Sequence, residues 1–378
     1  MTLQPNPDLT VGADHKPRWN SADGRRHGFH NLHRIARYVQ SFRAGAVLPL
    51  KRDTDLSLAA RPDLAQLTGL PFFSAMVVLR GDRVLFERYA PDFGPDQPHS
   101  IMSLSKTTMM LIVGRLVAEG RLDLAAPVGR YLPWVGPGYA TASVQEVLNM
   151  NVDNDYVEDY ADPLCTAFLH EAATGLRLPG PGQAEKTSKQ FLATVGLAAG
   201  RSDTLNRSGL CMYRSANTDI LAAIAEAVGG PLSARLADIA DAAGLEGSLH
   251  VATDRSGFPC LNGGLCLTAR DLARYGLLLA RGGIGVAGQE VGSPAFLQAT
   301  LAGGVPMPAP RDHLRYSNQT NTDGRWIGHG GYGGQYLVAD PVTGTAAVFL
   351  SVLDNADGYL SSYYPPIISL LAEAATAA

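Results

Sequence analysis

Ser103 and Lys106 are the two residues of this sequence whose types and spacing best suit covalent catalysis. Three residues apart on a helix, the hydroxyl and the amine lie on one face within hydrogen-bond reach. The amine can then take the hydroxyl proton, and the serine oxygen can attack an amide or ester carbonyl. Lys106 is the only lysine between positions 52 and 185. Burial would lower its pKa toward that of a usable base.

The segment that carries this pair reads as a buried helix. Residues 103–119 are apolar around most of the helix surface, a pattern that only a helix inside the protein tolerates. The backbone N–H groups of its first turn favour a developing negative charge. We therefore expect Ser103 and Lys106 to lie inside the protein, in the first turn of a helix.

A tyrosine at a second helix entry is the next candidate. Residues 213–219 (YRSANTD) lead into a helix predicted over 220–228, so that the Tyr213 phenol can point into a cleft and move protons. The alternative is a packed tyrosine, with Asn217 as the helix N-cap.

A glycine-rich stretch, residues 329–335 (HGGYGGQ), precedes the last predicted hairpin. Glycines let a substrate approach a strand edge and leave backbone N–H groups free to bind an oxyanion. The alternative is a plain glycine turn.

The elements around these motifs predict an α/β fold, with an antiparallel sheet flanked by helices and an inserted, mainly helical domain. Hairpin patterns around Gly81-Asp82 and residues 340–344 bracket a helical middle. Other helices are predicted around Leu32, Ile35 and Val39, after Thr268 as a cap, and from Pro365-Pro366 to the end.

We divide the chain accordingly into two domains. Residues 1–130 and 275–378 form a discontinuous α/β domain, and residues 131–274 form the mainly helical one. The active site is expected in the cleft between them.

The composition and charge of the chain restrict the classes of binding partner. The 378 residues carry a net charge of −4, and their basic residues are scattered, which argues against nucleic acid. Residues 1–15 lack the pattern of a secretory leader and no segment has the apolar length of a membrane span, so no membrane partner and a cytoplasmic location are expected. Four cysteines without CxxC spacing, Cys165, Cys211, Cys260 and Cys266, are expected to be reduced.

No cofactor or metal is predicted. Residues 283–288 (GIGVAG) match the dinucleotide-binding fingerprint but follow a helix instead of a strand. The acidic residues between 153 and 162 lack the spacing and central glycine of a calcium loop.

The three motifs in this order resemble the serine β-lactamase and penicillin-binding protein superfamily. The flanking sequence is most similar to its 6-aminohexanoate-dimer hydrolase branch, from about Trp19 to the last helix. The similarity is carried by 102–106 (MSLSK), 158–163 (EDYADP), 213–219 and 262–274 (NGGLCLTARDLAR). The chain departs from that branch in a longer loop between Pro163 and Tyr213, in Gly333 where a histidine is usual, and in lacking paired tryptophans near Thr320.

This resemblance implies a role for each matching residue. Ser103 would be the nucleophile, Lys106 and Tyr213 would move the protons, and the backbone N–H groups of Ser103 and Tyr332 would form the oxyanion hole. Tyr160 would close over the substrate and Glu171 would receive its amine. The remaining residues expected to line the substrate site are Asn262, His329 and Gly331.

The predicted function is thus hydrolysis of a small amide or ester through a Ser103 acyl-enzyme. Two alternatives keep the same site, a short-chain carboxylesterase and a weak β-lactamase. A third, of another class, is a non-catalytic binding protein on this fold. The expected partner is a small-molecule substrate, with a second copy of the chain as an option.

Overall fold

The computed structural model describes residues 15–160, 162 and 165–377. The polar segment that begins at Met1, and Ala161 and Pro163 of the 158–163 motif, lie outside the described residues.

A nine-stranded sheet forms the centre of the fold, in the order β2-β4-β3-β13-β12-β11-β10-β9-β8. Its pairs are antiparallel except β2 with β4. A smaller antiparallel sheet has the order β1-β6-β7-β5. The strands are β1 Val39–Arg43, β2 Lys51–Arg52, β3 Phe73–Arg80, β4 Arg83–Tyr89, β5 His99–Ser100, β6 Ser248–Ala252, β7 Leu265–Leu267, β8 Val305–Pro306, β9 Arg315–Ser317, β10 Thr320–Thr322, β11 Ile327–Gly331, β12 Gln335–Asp340 and β13 Thr345–Ser351.

The helices surround both sheets. They are α1 His15–Arg18, α2 Arg25–Ile35, α3 Leu56–Ala59, α4 Pro62–Thr68, α5 Thr107–Ala118, α6 Val128–Tyr131, α7 Pro137–Ala140, α8 Val144–Leu148, α9 Thr166–Ala173, α10 Ser188–Leu192, α11 Ala216–Gly229, α12 Leu232–Ala243, α13 Ala269–Ala280, α14 Pro294–Ala302 and α15 Tyr364–Thr376. Single 3₁₀ turns cover Met102–Lys106 and Ser361–Tyr363.

Helices cover the large sheet on both faces. Along β3, Val77 and Leu79 belong to the same apolar cluster as α13, whereas Met76 and Val78 belong to the cluster of α15. Successive strand residues point to opposite faces, so a continuous apolar run is what a sheet covered on both sides requires. The predicted α/β fold with an antiparallel sheet flanked by helices is confirmed.

Most predicted elements are present, and one was wrong. Both hairpins form, as β3–β4 and β12–β13, and Thr268 caps α13 by accepting a hydrogen bond from the Asp271 N–H. Val39, expected on a helix, is the first residue of β1, because α2 ends at Ile35 and the chain then pairs with β6. Ladder pairing with a distant strand overrides a short amphipathic pattern.

The middle of the chain is less purely helical than its sequence pattern. Residues 131–274 contain α7 to α12, but also β6 and β7, which pair with β1 and β5 from the first part of the chain. The division into two domains stays a prediction.

Within the ranges described, no single helix has the length and apolarity to cross a membrane. The pair α11 and α12, bent by 98° at their junction, meets that criterion only when the two are taken together.

Gly276 lets α13 lie directly on the large sheet. A Cβ at this position would be 2.7 Å from a Leu337 methyl carbon and 2.8 Å from the Ala346 Cβ. We expect Gly276→Val to lower the free energy of unfolding by about 1–3 kcal/mol, because the added atoms would push α13 off the sheet. Urea titration measures the change. Ala234→Val, at an exposed position of α12, is the control and should cost less than about 0.7 kcal/mol; equal losses in the two variants would contradict the packing argument.

Candidate active site

Ser103 lies at the start of a tight helical turn that joins the small sheet to α5. The prediction of one helix from Ser103 is corrected in detail, since residues 102–106 form a 3₁₀ turn and the α-helix begins at Thr107. The turn is tied to β7, because the Leu265 N–H donates to the Ser105 hydroxyl at 3.1 Å. Met102 has a φ of 45°, a left-handed conformation that side chains rarely adopt. Such backbone conformations persist only where the surroundings enforce them, and they cluster at functional sites.

Lys106 is completely buried below Ser103. Its Nζ donates to the Ser103 Oγ at 3.1 Å, the Ser215 Oγ at 3.0 Å and the Asn262 carbonyl at 2.6 Å. These acceptors match the three donors of an ammonium group. Burial lowers the pKa of Lys106 to about 8, although the negative charges of Glu158 and Asp219 oppose the shift. About a tenth of the lysine is therefore a free amine at pH 7, and this fraction, which can act as a general base, grows as the pH rises.

Tyr213 lies over the lysine, just before α11. The Lys106 Nζ is 5.0 Å from the centre of its ring. Burial raises the pKa of Tyr213 well above its usual range, Glu158 adds to the rise, and a hydrogen bond with Ser103 opposes it. The phenol is thus protonated at neutral pH and can donate a proton. Asn217, the N-cap of the alternative interpretation, instead accepts from the Tyr139 hydroxyl inside α11.

The end of β11 borders the same turn. A Cβ on Gly331 would be 2.5 Å from the Ile101 carbonyl oxygen, so only glycine allows this strand to approach the serine segment so closely. Among the residues that the structure describes, neither the Ser103 N–H nor the Tyr332 N–H donates to a backbone carbonyl. Two unused amides beside a nucleophile have the composition of an oxyanion hole.

The sequence analysis missed Glu158 and Ser215 as parts of the site. The Ser215 hydroxyl donates to one Glu158 carboxylate oxygen at 2.8 Å, and its N–H donates to the other at 2.7 Å. Ser215 then accepts from Lys106, so a carboxylate is connected to the lysine through one hydroxyl. A buried ammonium needs acceptors, and that need is the signal that could have led from Lys106 to a hydroxyl near Tyr213.

Asn262 belongs to a buried network on the other side of the lysine. Its carbonyl accepts from Lys106, and its amide donates to the Asp219 carboxylate at 2.8 Å. The same carboxylate oxygen accepts from His170 Nε2 at 2.8 Å, and Tyr156 donates to His170 Nδ1 at 3.2 Å. Asn262 thus positions Lys106 in addition to lining the cleft.

Tyr160 and Glu171 lie together on one wall. The Tyr160 ring is 5.3 Å from the Tyr332 ring and 5.7 Å from the Phe168 ring. Glu171 is buried on α9, and Arg177 donates to its carboxylate at 2.9 Å. Burial raises the pKa of Glu171, and the charge of Arg177 opposes that rise. A positively charged group of a substrate would favour its ionised form.

His329 lines the cleft as a neutral ring. Its Nδ1 donates to the Gly330 carbonyl at 2.6 Å, and its Nε2 accepts from the Tyr316 hydroxyl at 3.2 Å. Burial lowers the pKa of His329 to about 3. It does not titrate near neutral pH and packs 6.0 Å from the Tyr213 ring.

One cleft of about 490 Å³ brings the predicted residues together, with Lys106 directly beneath the nucleophile. Those that line it are Ser103, Tyr160, Glu171, Tyr213, Asn262, His329, Gly331 and Tyr332.

The chain is similar in sequence to known proteins. The family model of β-lactamase matches residues 71–360. A 6-aminohexanoate-dimer hydrolase of Paenarthrobacter ureafaciens is 36% identical over 306 residues, which cover 79% of this chain and 75% of that protein.

Solved structures show the same fold. A Bacillus anthracis protein assigned as a 6-aminohexanoate-dimer hydrolase superposes with a TM-score of 0.79 over 97% of each chain, at 20% identity. A D-stereospecific amidohydrolase from Streptomyces superposes with a TM-score of 0.57 over 86% of this chain and 99% of its own, at 17% identity. From the matched family and the 36% identical relative, the chain belongs to the β-lactamase family and is a serine hydrolase.

Proposed function

We propose that this chain hydrolyses small linear amides whose acyl part carries an amine, through an acyl-enzyme on Ser103. The observation that carries the proposal is the 3.1 Å contact between the Ser103 Oγ and Lys106, whose pKa burial lowers to about 8. A nucleophile and a base of suitable pKa at the floor of one cleft are the minimum for acyl transfer.

In the first half of the reaction, Lys106 as a free amine takes the Ser103 proton while the serine oxygen attacks the carbonyl carbon. The oxyanion that forms is held by the N–H groups of Ser103 and Tyr332. Tyr213 donates its proton to the leaving nitrogen, and the C–N bond breaks. The phenolate then takes the proton from the Lys106 ammonium, which restores both groups.

In the second half, water replaces the amine. It loses a proton to the free amine of Lys106 and attacks the acyl carbon, and the C–O bond to Ser103 breaks. The proton returns from Lys106 to the serine oxygen, with Tyr213 as the carrier between them.

Glu158 and Ser215 hold the lysine where it can act. The carboxylate fixes the Ser215 hydroxyl by two hydrogen bonds, and this hydroxyl offers its lone pair to Lys106. Glu158 also sets the strength of the base, since its negative charge keeps the pKa of Lys106 from falling further.

The preference for an amine rests on Glu171 and on the relative. Glu171 lines the cleft together with Tyr160, and its negative charge adds to the rise in the pKa of Tyr160. The name of the 36% identical relative describes an amide dimer of an amino acid as its substrate. A buried carboxylate that lines the cleft suits an ammonium group.

Each alternative function can be separated from amide hydrolysis by experiment. An esterase or a β-lactamase would use the same serine, so turnover of ester, β-lactam and linear amide substrates separates them. A binding protein would give no covalent adduct. A cytoplasmic location and a homodimer remain predictions.

The nucleophile is tested by mass spectrometry. Exposure to a fluorophosphonate should add one phosphonyl group to the wild-type chain and none to Ser103→Ala, which should also lose amide hydrolysis by at least about 10³-fold. Ser208→Ala, at an exposed position that does not line the cleft, is the control and should still be labelled. Labelling of Ser103→Ala, or no labelling of a folded wild type, would contradict the acyl-enzyme.

The base is tested by pH dependence. Because Lys106 must be deprotonated to act, kcat/KM should rise with pH through a midpoint near 8. Glu158→Gln removes a charge that raises this pKa, so the midpoint should move to lower pH. Stopped-flow acylation by an aryl ester, measured from pH 5 to 10, gives both midpoints. A midpoint that stays in place or moves up would show that Glu158 does not act on Lys106.

The amine site is tested with a substrate pair. Glu171→Gln should raise KM about tenfold for an amide with a free amine on its acyl part, because a charge-assisted contact is lost, and should change KM little for the N-acetylated analogue. The exposed Glu290→Gln serves as the control variant. If Glu171→Gln affected both substrates equally, the residue would have a structural role only.

A further inference from the structure

Tyr364 is a buried tyrosine of the cleft that the reaction as proposed leaves without a role. It is the first residue of α15, and its ring stacks 5.3 Å from that of Tyr359. Its hydroxyl donates to the Gly331 carbonyl at 2.9 Å, at the end of β11. Burial raises the pKa of Tyr364, so the phenol stays protonated and remains a donor at neutral pH. The last helix is therefore hydrogen-bonded to the strand that borders the nucleophile turn.

The Gly331 carbonyl belongs to the same peptide unit as the Tyr332 N–H. This unit is planar and trans, so its C=O and N–H groups point in opposite directions. Because the carbonyl is held by Tyr364, the N–H points away from that hydroxyl. Within the described residues, this N–H donates to no backbone carbonyl. The Tyr364 hydroxyl thus constrains the direction of an amide of the proposed oxyanion hole.

A second donor to the same carbonyl is more distant. The Gly334 N–H reaches the Gly331 oxygen at 3.2 Å, in the loop between β11 and β12. Gly333 and Gly334 have φ values of 91° and 105°, which glycine adopts readily. A loop with two such glycines has little stiffness of its own, so a contact from outside the loop is needed to hold its first peptide unit. Tyr364 supplies that contact from a helix.

The side chain of Tyr332 is held separately. Its hydroxyl donates to the Asp357 carbonyl at 2.6 Å, and its ring centre is 5.5 Å from the guanidinium of Arg25. Arg25 is buried and donates to the Leu353 carbonyl at 2.8 Å, in the segment that leads to Asp357. Loss of the Tyr364 hydroxyl would therefore leave the Tyr332 side chain in place and free only the plane of its peptide unit.

We propose that Tyr364 is a positioning residue, whose hydroxyl orients and polarises the peptide unit that presents the Tyr332 N–H to the oxyanion. The inference rests on the proposed function, because the oxyanion forms only if Ser103 attacks a carbonyl. A hydrogen bond to the C=O of a peptide unit makes its N–H a stronger donor. That N–H contributes most when the substrate oxygen becomes negative, so the contact stabilises the transition state more than the bound substrate.

The test uses Tyr364→Phe, which removes the hydroxyl and keeps the ring. Stopped-flow acylation by para-nitrophenyl acetate gives the acylation rate constant and the dissociation constant of the ester. We expect the rate constant to fall about tenfold, because the donor stays and only its direction is freed; loss of a whole oxyanion donor typically costs about 10²–10³-fold. The dissociation constant should not change. The burst amplitude counts the active sites, so partial misfolding would lower the amplitude and not the rate constant.

Phenylboronic acid gives an independent measurement. The Ser103 oxygen adds to boron, its proton passes to Lys106, and a hydroxyl on the tetrahedral boron takes the place of the oxyanion. Because this adduct resembles the transition state, its inhibition constant should rise about tenfold in Tyr364→Phe, in step with the loss in acylation rate. A purely structural role would not link the two constants.

Tyr336→Phe is the matched control. Tyr336 is a buried tyrosine of the same apolar cluster as Tyr364, and its hydroxyl accepts a hydrogen bond from Asn321 at 3.1 Å, but it does not line the cleft. This variant also loses a buried hydroxyl and should keep the acylation rate constant and the inhibition constant of wild type.

The outcomes distinguish this inference from the proposed function. If wild type is acylated and Tyr364→Phe keeps both constants, Tyr364 does not act on the oxyanion hole. An equal loss in Tyr336→Phe, or a change confined to the dissociation constant of the ester, would also overturn the inference. If a folded wild type shows no burst and no adduct on Ser103, the acyl-enzyme fails and this inference fails with it.

Discussion

The burial of one amine determines how the rest of the site is built. An ammonium group taken out of water is stable only if its three protons find acceptors, and Lys106 finds them on three segments that are far apart in the chain. The nucleophile turn, the entry of α11 and the loop before β7 must therefore meet at one point. The same burial lowers the pKa of the amine, so the constraint that organises the site also makes it reactive.

Two carboxylates keep two of those acceptors in place. Glu158 orients Ser215 on one side of the lysine, and Asp219 orients Asn262 on the other. Both carboxylates also limit how far the pKa of Lys106 can fall. The pKa of Lys106 is thus set by the cost of desolvation on one side and the attraction of two nearby negative charges on the other. His170 and Tyr156 complete the buried hydrogen-bond network around Asp219.

The sequence was sufficient for the fold class and for the residues at the floor of the cleft, because those depend on local patterns. Apolar runs on both sides of turn residues predicted the hairpins, and the spacing of Ser103 and Lys106 predicted their contact. Glu158 and Ser215 could not be found in this way. Their roles come from tertiary contacts between segments 57 to 109 residues apart, as between Glu158 and Ser215 or Lys106 and Ser215. The helix expected around Val39 was wrong for a related reason, since pairing with β6 is not encoded locally.

The left-handed backbone of Met102 has a consequence for the evolution of such a site. A non-glycine residue in this conformation costs on the order of 1 kcal/mol, which the surrounding packing must supply. That packing comes from the neighbouring turn and from the backbone of β11, where Gly331 allows the close approach. The protein thus gives up some stability at the residue before its nucleophile in exchange for a fixed direction of attack. Substitutions that relax this segment would increase stability but would misorient the Ser103 nucleophile. Sequence variation among such enzymes should therefore accumulate in the walls of the cleft and not in its floor.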